Sequence, residues 1–519
     1  MNFSRRDLIK GAVVAASAAR AGGQSIPAGI AIQHGPFSPN GASLEKYACP
    51  EWFRDAKLGI WAHWGPQSAV GTGDWYARNM YMEGSRQYRY HVANYGHPSQ
   101  FGYKDIIPTW KAERFEPKDL MRLYRQAGAK YFVSMGVHCD NFDLWNSQHH
   151  RWNAVNMGPK RDIVGAFRDA ARAEGLRFGV SEHVWGSYNW WITNKGADKQ
   201  GPYAGVPYDG NDPANYDLYF PPHAPAKEAW AEQGNEPDEW KREWFLRIQD
   251  LVDHYQPDLL YADGGIPFGA YGRSLVAHFY NQALRWHAGN LDVVYTCKRR
   301  SDCEAGTCVL DVERGVVDEI WPHPWQTDTC IGDWHYSRDH HYKTPKTVID
   351  LLVDIVSRNG NLLLNFPLPG SGVLDADELR ILASITGWMQ VNSEAIYGTR
   401  PWKIFGEGPG IRQTPPGAGM IGTPEHFNEK DRVDLTADDV RFTTKGDTLF
   451  AFSMGWNPKE TILAALAPSR GLFTRRVQKV QLLGSAAPIN WKLSGDGLHI
   501  QSPPVQPCEH AVAYRIICS

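Results

Sequence analysis

Between about residue 50 and residue 390, short apolar runs alternate with stretches whose apolar residues recur at helical spacing. The first run, Ala56–Ile60, leads into Trp61-Ala62-His63-Trp64-Gly65. Pro117 then opens a predicted helix in which Leu120, Leu123, Tyr124 and Ala127 fall at i, i+3, i+4 and i+7, with Gly128 placed to stop it. Lys130–Val137 follows and ends in His138. A second helix carries Ile163, Phe167 and Ala170 on one face, and Leu176–Val180 leads to Ser181-Glu182-His183. Trp244, Ile248, Leu251, Val252 and Tyr255 form the stripe of a third helix, before Pro257–Ala262 reaches Asp263. The remaining runs are Leu291–Tyr295, Cys308–Val312 before Glu313, a weaker one near Cys330–Trp334, and Asn361–Phe366. Alternation of strand and helix predicts a parallel sheet with crossover helices. Eight repeats over this length favour a closed (β/α)8 barrel of the TIM type over an open doubly wound sheet. No Gly-rich phosphate loop follows the first strand, which counts against a dinucleotide binder.

Two regions break the alternation. Gly186–Trp240 is too long for an ordinary connection, and carries Trp190, Trp191, Tyr203, Tyr208, Tyr216, Tyr219 and Phe220 among many Gly, Pro, Asn and Asp. Such a loop is functional or disordered, and its aromatics favour a wall or lid over the mouth of a site. Beyond residue 395 the chain turns to short alternating runs such as Thr448–Phe452 and Val477–Leu483, which predict a C-terminal antiparallel β-sandwich. The expected organisation is a leader over 1–21, a barrel over 40–395 and a sandwich over 396–519. In the leader, Arg5-Arg6 precedes a weakly apolar run and an Ala19-Arg20-Ala21 cleavage pattern. That reads as a twin-arginine export signal and predicts a periplasmic or secreted bacterial protein. No other window reads as a membrane span.

Composition narrows the partners. The 519 residues hold 54 Lys+Arg against 57 Asp+Glu, a net charge of −3, which leaves no basic surplus for nucleic acid. With 21 Trp, 23 Tyr and 20 Phe the chain is rich in rings, which stack on the C–H faces of sugars but also fill large cores. The eight cysteines could pair in an oxidising compartment, Cys508 with Cys518 for example. Cys303 and Cys308 without a second nearby pair make a poor zinc pattern, and no metal or cofactor is expected.

In a (β/α)8 barrel the active site gathers at the C-terminal strand ends. There stand His63, Trp64, His138, Asp140, Glu182, His183, Asp263, Glu313 and Trp334. Carboxylates, imidazoles and indoles around one rim suit glycoside hydrolysis, which uses one carboxylate as nucleophile and another as acid/base. Spacing alone leaves open which two of Asp140, Glu182, Asp263 and Glu313 act. Each also has a plainer role: Asp263 as a helix cap, Glu313 as partner of Arg314, Glu182 as support for His183, Asp140 as a turn former.

The segments Trp52–Tyr81 (WFRDAKLGIWAHWGPQSAVGTGDWYARNMY), Ala127–Phe142 (AGAKYFVSMGVHCDNF), PDLLYADGG and Leu352–Phe366 (LVDIVSRNGNLLLNF) resemble, in order, the α-L-fucosidases of glycoside hydrolase family 29. Glu394–Pro401 resembles that family's passage into its β-sandwich. The resemblance implies a retaining exo-glycosidase that removes terminal α-L-fucose from an oligosaccharide or glycoconjugate. It makes Asp263 the nucleophile, and Glu313 the acid/base because it precedes a Pro-Trp segment; Glu304 is the alternative. It places His63, Trp64, Asp74, Trp75, His138, His183, Tyr261 and Trp334 around the sugar. The chain departs from the family at His138-Cys139-Asp140-Asn141-Phe142, which lacks a second His, at Asp74-Trp75-Tyr76, at Tyr261-Ala262-Asp263 and at Ser181-Glu182-His183. His183 is placed to supply the missing imidazole. These departures leave room for a related sugar, such as a galactoside or substituted fucoside, or for an inactive sugar-binding homologue.

Overall fold

The structure is a computed structural model describing residues 26–225, 235–413 and 427–519. The expected leader over 1–21 lies outside the described residues. Eight parallel strands close into a barrel in sequence order: β1 (Leu58–Ala62), β2 (Tyr131–Val137), β3 (Arg177–Glu182), β4 (Leu259–Ala262), β5 (Val294–Cys297), β6 (Val309–Glu313), β7 (Trp325–Cys330) and β8 (Gly360–Asn365). β1 pairs with both β2 and β8, which completes the closure.

The crossover helices follow the sequence periodicity. α1 (Pro117–Gln126) opens on a proline and buries Leu120, Met121 and Tyr124; Gly128, at φ +98°, turns the chain into β2. α2 (Ile163–Ala173) is capped by Asp162, whose side chain accepts from Gly165 N, and it buries Ile163, Phe167 and Ala170. α3 (Asp238–Tyr255) buries Trp244, Ile248, Leu251 and Val252, and packs beside α4 (Ala270–Trp286). A short α5 (Arg300–Glu304) links β5 to β6, while α6 (Pro345–Ser357) and α7 (Ala376–Asn392) complete the ring.

β5 and β7 are the strands whose offset from the sequence expectation bears most on the site. β5 runs over Val294–Cys297 rather than Leu291–Tyr295, so Lys298 stands at its end. β7 is Trp325–Cys330 rather than Cys330–Trp334, and its interior residues Gln326, Thr327, Asp328 and Thr329 are polar yet buried. Gln326 and Asp328 face a polar barrel interior in which hydrogen bonds replace apolar packing, while Thr327 and Thr329, on the outer face, donate to Gly315 O (2.8 Å) and Glu429 Oε2 (2.6 Å). Tyr131 Oη donates to Gln326 Oε1 (2.7 Å), Gln326 Nε2 to Asp311 Oδ2 (2.6 Å) and Tyr261 Oη to Asp328 Oδ2 (3.1 Å). Gly59 makes room for this layer, since a Cβ there would meet the Tyr131 ring at 2.3 Å.

Beyond the barrel, antiparallel strands form a five-stranded and a three-stranded sheet around a second core. Asp354 on α6 ties this region to the barrel. It pairs with Arg358 (3.2 Å), which caps the C-terminus of its own helix, and with Arg432 (3.3 Å) and Arg441 beyond the barrel. Although burial raises its carboxyl, the three guanidiniums hold it well below the usual carboxylate range. Asn428 clamps Val316 through both its amide groups, and Phe427 N donates to Glu313 O (2.8 Å), so chain from beyond the barrel also braces the end of β6. All eight cysteines are free thiols, Cys508 and Cys518 included. No helix among the described residues is long and apolar enough to cross a membrane.

Candidate active site

The strand ends bring one ammonium and three carboxylates together. Lys298 Nζ lies 2.6 Å from Asp263 Oδ1, 2.5 Å from Glu313 Oε2 and 3.5 Å from Asp328 Oδ2. Its side chain is only 2% exposed, so solvent screens these contacts little. The first two distances cap the separation of those Asp263 and Glu313 oxygens at about 5.1 Å. The register puts Glu313 beside Asp328 on neighbouring strands.

The two carboxyls answer the same ammonium differently. Burial would raise Asp263, but the charges of Lys298 and His183, with hydrogen bonds from both, hold it well below the usual range. Glu313 is pushed up to about 7, chiefly by burial and by its acidic neighbours Asp328 and Asp263, against the opposing pull of Lys298. Lys298 itself is raised well above the usual lysine value, because the carboxylates around it outweigh its burial. Deeper in the barrel, burial and the charge of Asp328 raise Asp311 well above its ordinary value. One anionic carboxylate thus sits beside one carboxyl poised near neutrality, the division of labour that acid-assisted nucleophilic displacement needs.

Asp263 is held from three sides. His183 Nδ1 contacts Oδ2 at 2.9 Å, Lys298 takes Oδ1, and Trp185 Nε1–H donates to its backbone carbonyl at 2.7 Å. Gly264 has φ +147°, and a Cβ there would come within 2.8 Å of the Trp185 ring. Glycine is needed for that indole to lie across the strand end.

Four histidines line the wall. The rings of His138 and His183 stack at 4.9 Å, and His63 lies 5.8 Å from His138, 5.2 Å from His183 and 5.5 Å from His335. Burial and mutual repulsion lower His63 and His138 well below the ordinary value, so both are neutral and each ring offers one donor and one acceptor. Gln67 Nε2 meets His138 Nδ1 at 3.3 Å. His63 Nδ1 and His183 Nε2 are buried and make no hydrogen bond within the described protein. The ligand atoms of His63, His138 and His183 lie within 4.8 Å of one another, as do those of Asp74, His138 and His335, close enough to hold a metal ion; the same imidazoles equally suit sugar hydroxyls.

The other expected residues divide. Trp334 joins the site, packing on His63 at 4.9 Å with the Arg314 guanidinium over its ring at 4.8 Å. Asp74 Oδ1 holds His335 Nδ1 at 3.0 Å, and Trp75 reaches Trp190 of the long loop at 6.5 Å. Trp190 in turn lies 6.1 Å from His138, so the described aromatics of the long loop, Trp190 and Trp191 among them, form a packed wall beside the site. Tyr261 lies underneath, fully buried, between Trp61 and His183. Trp64 is not brought to the site. Its ring packs among Trp110, Phe115 and Phe167, and Nε1–H donates to Pro369 O at 2.9 Å. Alternation explains the difference: Trp61 and His63 face inward, and Trp64 faces the helices. Asp140 accepts from Tyr103 Oη (2.5 Å) and Glu182 from Trp244 Nε1 (3.2 Å), each buried beside the centre rather than in it. Glu304 ends α5, and its side chain is outside the described residues. Lys298 and Asp328 were not foreseen. The strand-end rule would have found Lys298 had the end of β5 been placed two residues later, at Cys297.

A closed parallel barrel with paired carboxyl groups at its strand ends, ringed by imidazoles and indoles, defines a class of sugar-cleaving barrel hydrolases. Residues 25–394 match the α-L-fucosidase family profile, and residues 432–516 match that of the α-L-fucosidase C-terminal domain. The chain belongs to the α-L-fucosidase family of hydrolases. It is 26% identical to tissue α-L-fucosidase of Bos taurus over 485 residues, covering 91% of this chain and 88% of that protein. It is likewise 26% identical to the α-L-fucosidase of Branchiostoma floridae, with coverages of 92% and 95%. The crystal structure of Thermotoga maritima α-fucosidase matches with a TM-score of 0.71 at 23% identity, over 93% of this chain and all of that one. A Bacteroides thetaiotaomicron α-L-fucosidase, captured as a covalent intermediate with 2-fluoro-fucosyl fluoride, matches with a TM-score of 0.60 at 18% identity, over 95% and 100%.

Proposed function

We propose that this chain is a retaining exo-α-L-fucosidase in which Asp263 is the nucleophile and Glu313 the general acid/base. One observation carries the reading: Lys298 contacts both carboxyl groups, so their contacting oxygens lie no more than about 5.1 Å apart, short of the gap of about 6.5–9.5 Å that inverting enzymes leave for water, while their charge states are driven apart. Asp263, ionised and oriented by His183, attacks the anomeric carbon as protonated Glu313 delivers its proton to the departing oxygen. Glu313, now anionic, takes a proton from the incoming water, and water displaces Asp263 from the sugar. His63, His138 and His183 supply hydrogen bonds to hydroxyls, and Trp334 covers an apolar edge of the ring. The aromatic wall around Trp190 supports release of a terminal sugar rather than cleavage within a chain. The covalent intermediate trapped in a structural relative supports the same course.

The test is turnover of aryl α-L-fucoside and aryl β-D-galactoside by the parent, Asp263→Ala and Glu313→Ala proteins. The parent cleaves the fucoside and Asp263→Ala does not; azide restores Glu313→Ala with release of α-fucosyl azide, whereas azide rescue of Asp263→Ala releases the β-azide. Preference for the galactoside would move the reading to a related sugar, and inertness toward both would leave a binding protein. Full activity in Glu313→Ala would transfer the acid/base role to Glu304 or another carboxylate. The Arg5-Arg6 pattern supports export to the periplasm or beyond. Retention of an Arg5→Lys, Arg6→Lys double variant in the cytoplasm tests that.

A further inference from the structure

Cys297, Cys303 and Cys308 take no part in the proposed chemistry, yet the fold brings their sulfurs to one point. Cys297 is the last residue of β5, Cys303 lies within α5, and Cys308 immediately precedes β6. The Sγ···Sγ separations are 3.5 Å for 297–303, 3.2 Å for 297–308 and 3.2 Å for 303–308. All three residues are buried, against Tyr280, which stacks on Tyr47 at 4.7 Å and donates its hydroxyl to Thr307 O at 2.7 Å. Thiols are weak donors and weak acceptors, so a buried trio gains little from its mutual hydrogen bonds.

A disulfide engages two sulfurs, drawing them to about 2.05 Å and setting the third aside. The near-equal triangle favours neither pair and instead surrounds a centre. An ion seated about 1.3 Å above the plane of the three sulfurs would reach each at about 2.3 Å, the zinc–thiolate distance. The adjacent Asp302 is engaged elsewhere, accepting from Ile266 N at 3.2 Å and facing Arg299 at 3.9 Å, so the three sulfurs are the protein's donors. Three thiolate donors are a set that thiophilic d10 cations accept. The sequence concealed the third ligand. Cys303 and Cys308 lack a second Cys pair, and the ligand that completes them stands on the preceding strand.

We propose that Cys297, Cys303 and Cys308 form a structural site for one thiophilic d10 cation of the zinc class. Binding is not redox chemistry: three S–H bonds break, three metal–sulfur bonds form, and the three protons pass to solvent. The ion knots the end of β5, α5 and the start of β6 into one unit. Lys298 follows Cys297 directly and Glu313 ends β6, so the site braces the ammonium and one of its carboxyl partners from behind.

The full chain, purified under reductant without chelator, is analysed for metal and then titrated with Zn²⁺ or Cd²⁺ alone. The expected result is one equivalent per chain, an ultraviolet thiolate-to-cadmium charge-transfer band, and a Tm that rises by a few degrees on loading. Cys303→Ser and Cys308→Ser lose the equivalent and the band, while Cys518→Ser, in the sandwich, keeps both. Thiol counting on parent protein prepared in parallel without reductant, then chelated and denatured, gives eight. Failure to bind either ion, a disulfide among the three cysteines, or undiminished binding in both serine variants overturns the proposal. None of these readouts depends on fucosidase activity.

Discussion

Replacing Lys298 with methionine removes one charge from between two groups whose opposite protonation states the mechanism requires. At 2.6 Å, two unit charges attract by about 6 kcal/mol at an effective dielectric near 20, an upper bound before desolvation. Opposite charges this close lower a carboxyl by about 1–3 pH units in practice. The nucleophile must be ionised, so in Lys298→Met the acidic limb of the kcat/KM profile on aryl α-L-fucoside moves up by about 1–3 units. Lys298 also depresses Glu313, so the alkaline limb rises with it and the whole bell shifts upward rather than narrowing. Loss of a preorganised charge beside the reacting atoms lowers kcat by roughly 10²-fold at the new optimum. Lys298→Arg keeps the charge and holds both limbs within about half a unit of the parent. A folded, active Lys298→Met protein with an unmoved acidic limb would refute the reasoning, since Asp263 would then owe its ionisation to something else.

Glu182 is 1% exposed and burial pushes it up to about 8, so the folded chain keeps a proton that an unfolded glutamate loses near about 4.3. Its contribution to stability is therefore complete below that unfolded value and lost as pH rises through about 8. Melting curves across this range should show Glu182→Gln less sensitive to pH than the parent; parallel curves would count against a buried neutral acid. Trp64→Ala empties a core position and should cost about 3–5 kcal/mol in urea unfolding while leaving KM within about twofold. A large rise in KM with stability intact would return Trp64 to the sugar. Asp354→Ala strands three guanidiniums and should cost about 3–5 kcal/mol in urea unfolding, more than Arg432→Ala does; equal effects would mean that the cluster is not organised around the carboxylate.

The helices were legible because each buries one stripe: the residues read at i, i+3, i+4 and i+7 in α1 are largely those that face the barrel. Most strands were legible because both faces of a barrel wall are covered, leaving short apolar runs. β7 escaped this logic. A strand whose inward residues are Gln326 and Asp328 reads as a loop unless the interior it faces is known to be polar, and that interior is assembled from Tyr131, Tyr261 and Asp311 on three other strands. No window of sequence contains all of it.

The same distinction separates the site residues that were foreseen from those that were not. His63, His138, His183, Asp263 and Glu313 each sit at or just past the end of an apolar run, where local pattern and barrel geometry agree. Trp64 sits there too, but one step out of phase with His63, and strand alternation sends it to the helices. Lys298 and the cysteine trio depend on where β5 ends, and the apolar run of Leu291–Tyr295 overstated its start and understated its finish. Those few residues of register carry an ammonium that contacts both proposed catalytic carboxyls and a thiol that completes a triangle. Both features therefore follow from one fact, that Cys297 closes the strand. A variant that shifts the end of β5 would disturb the charge balance over Asp263 and the sulfur cluster together.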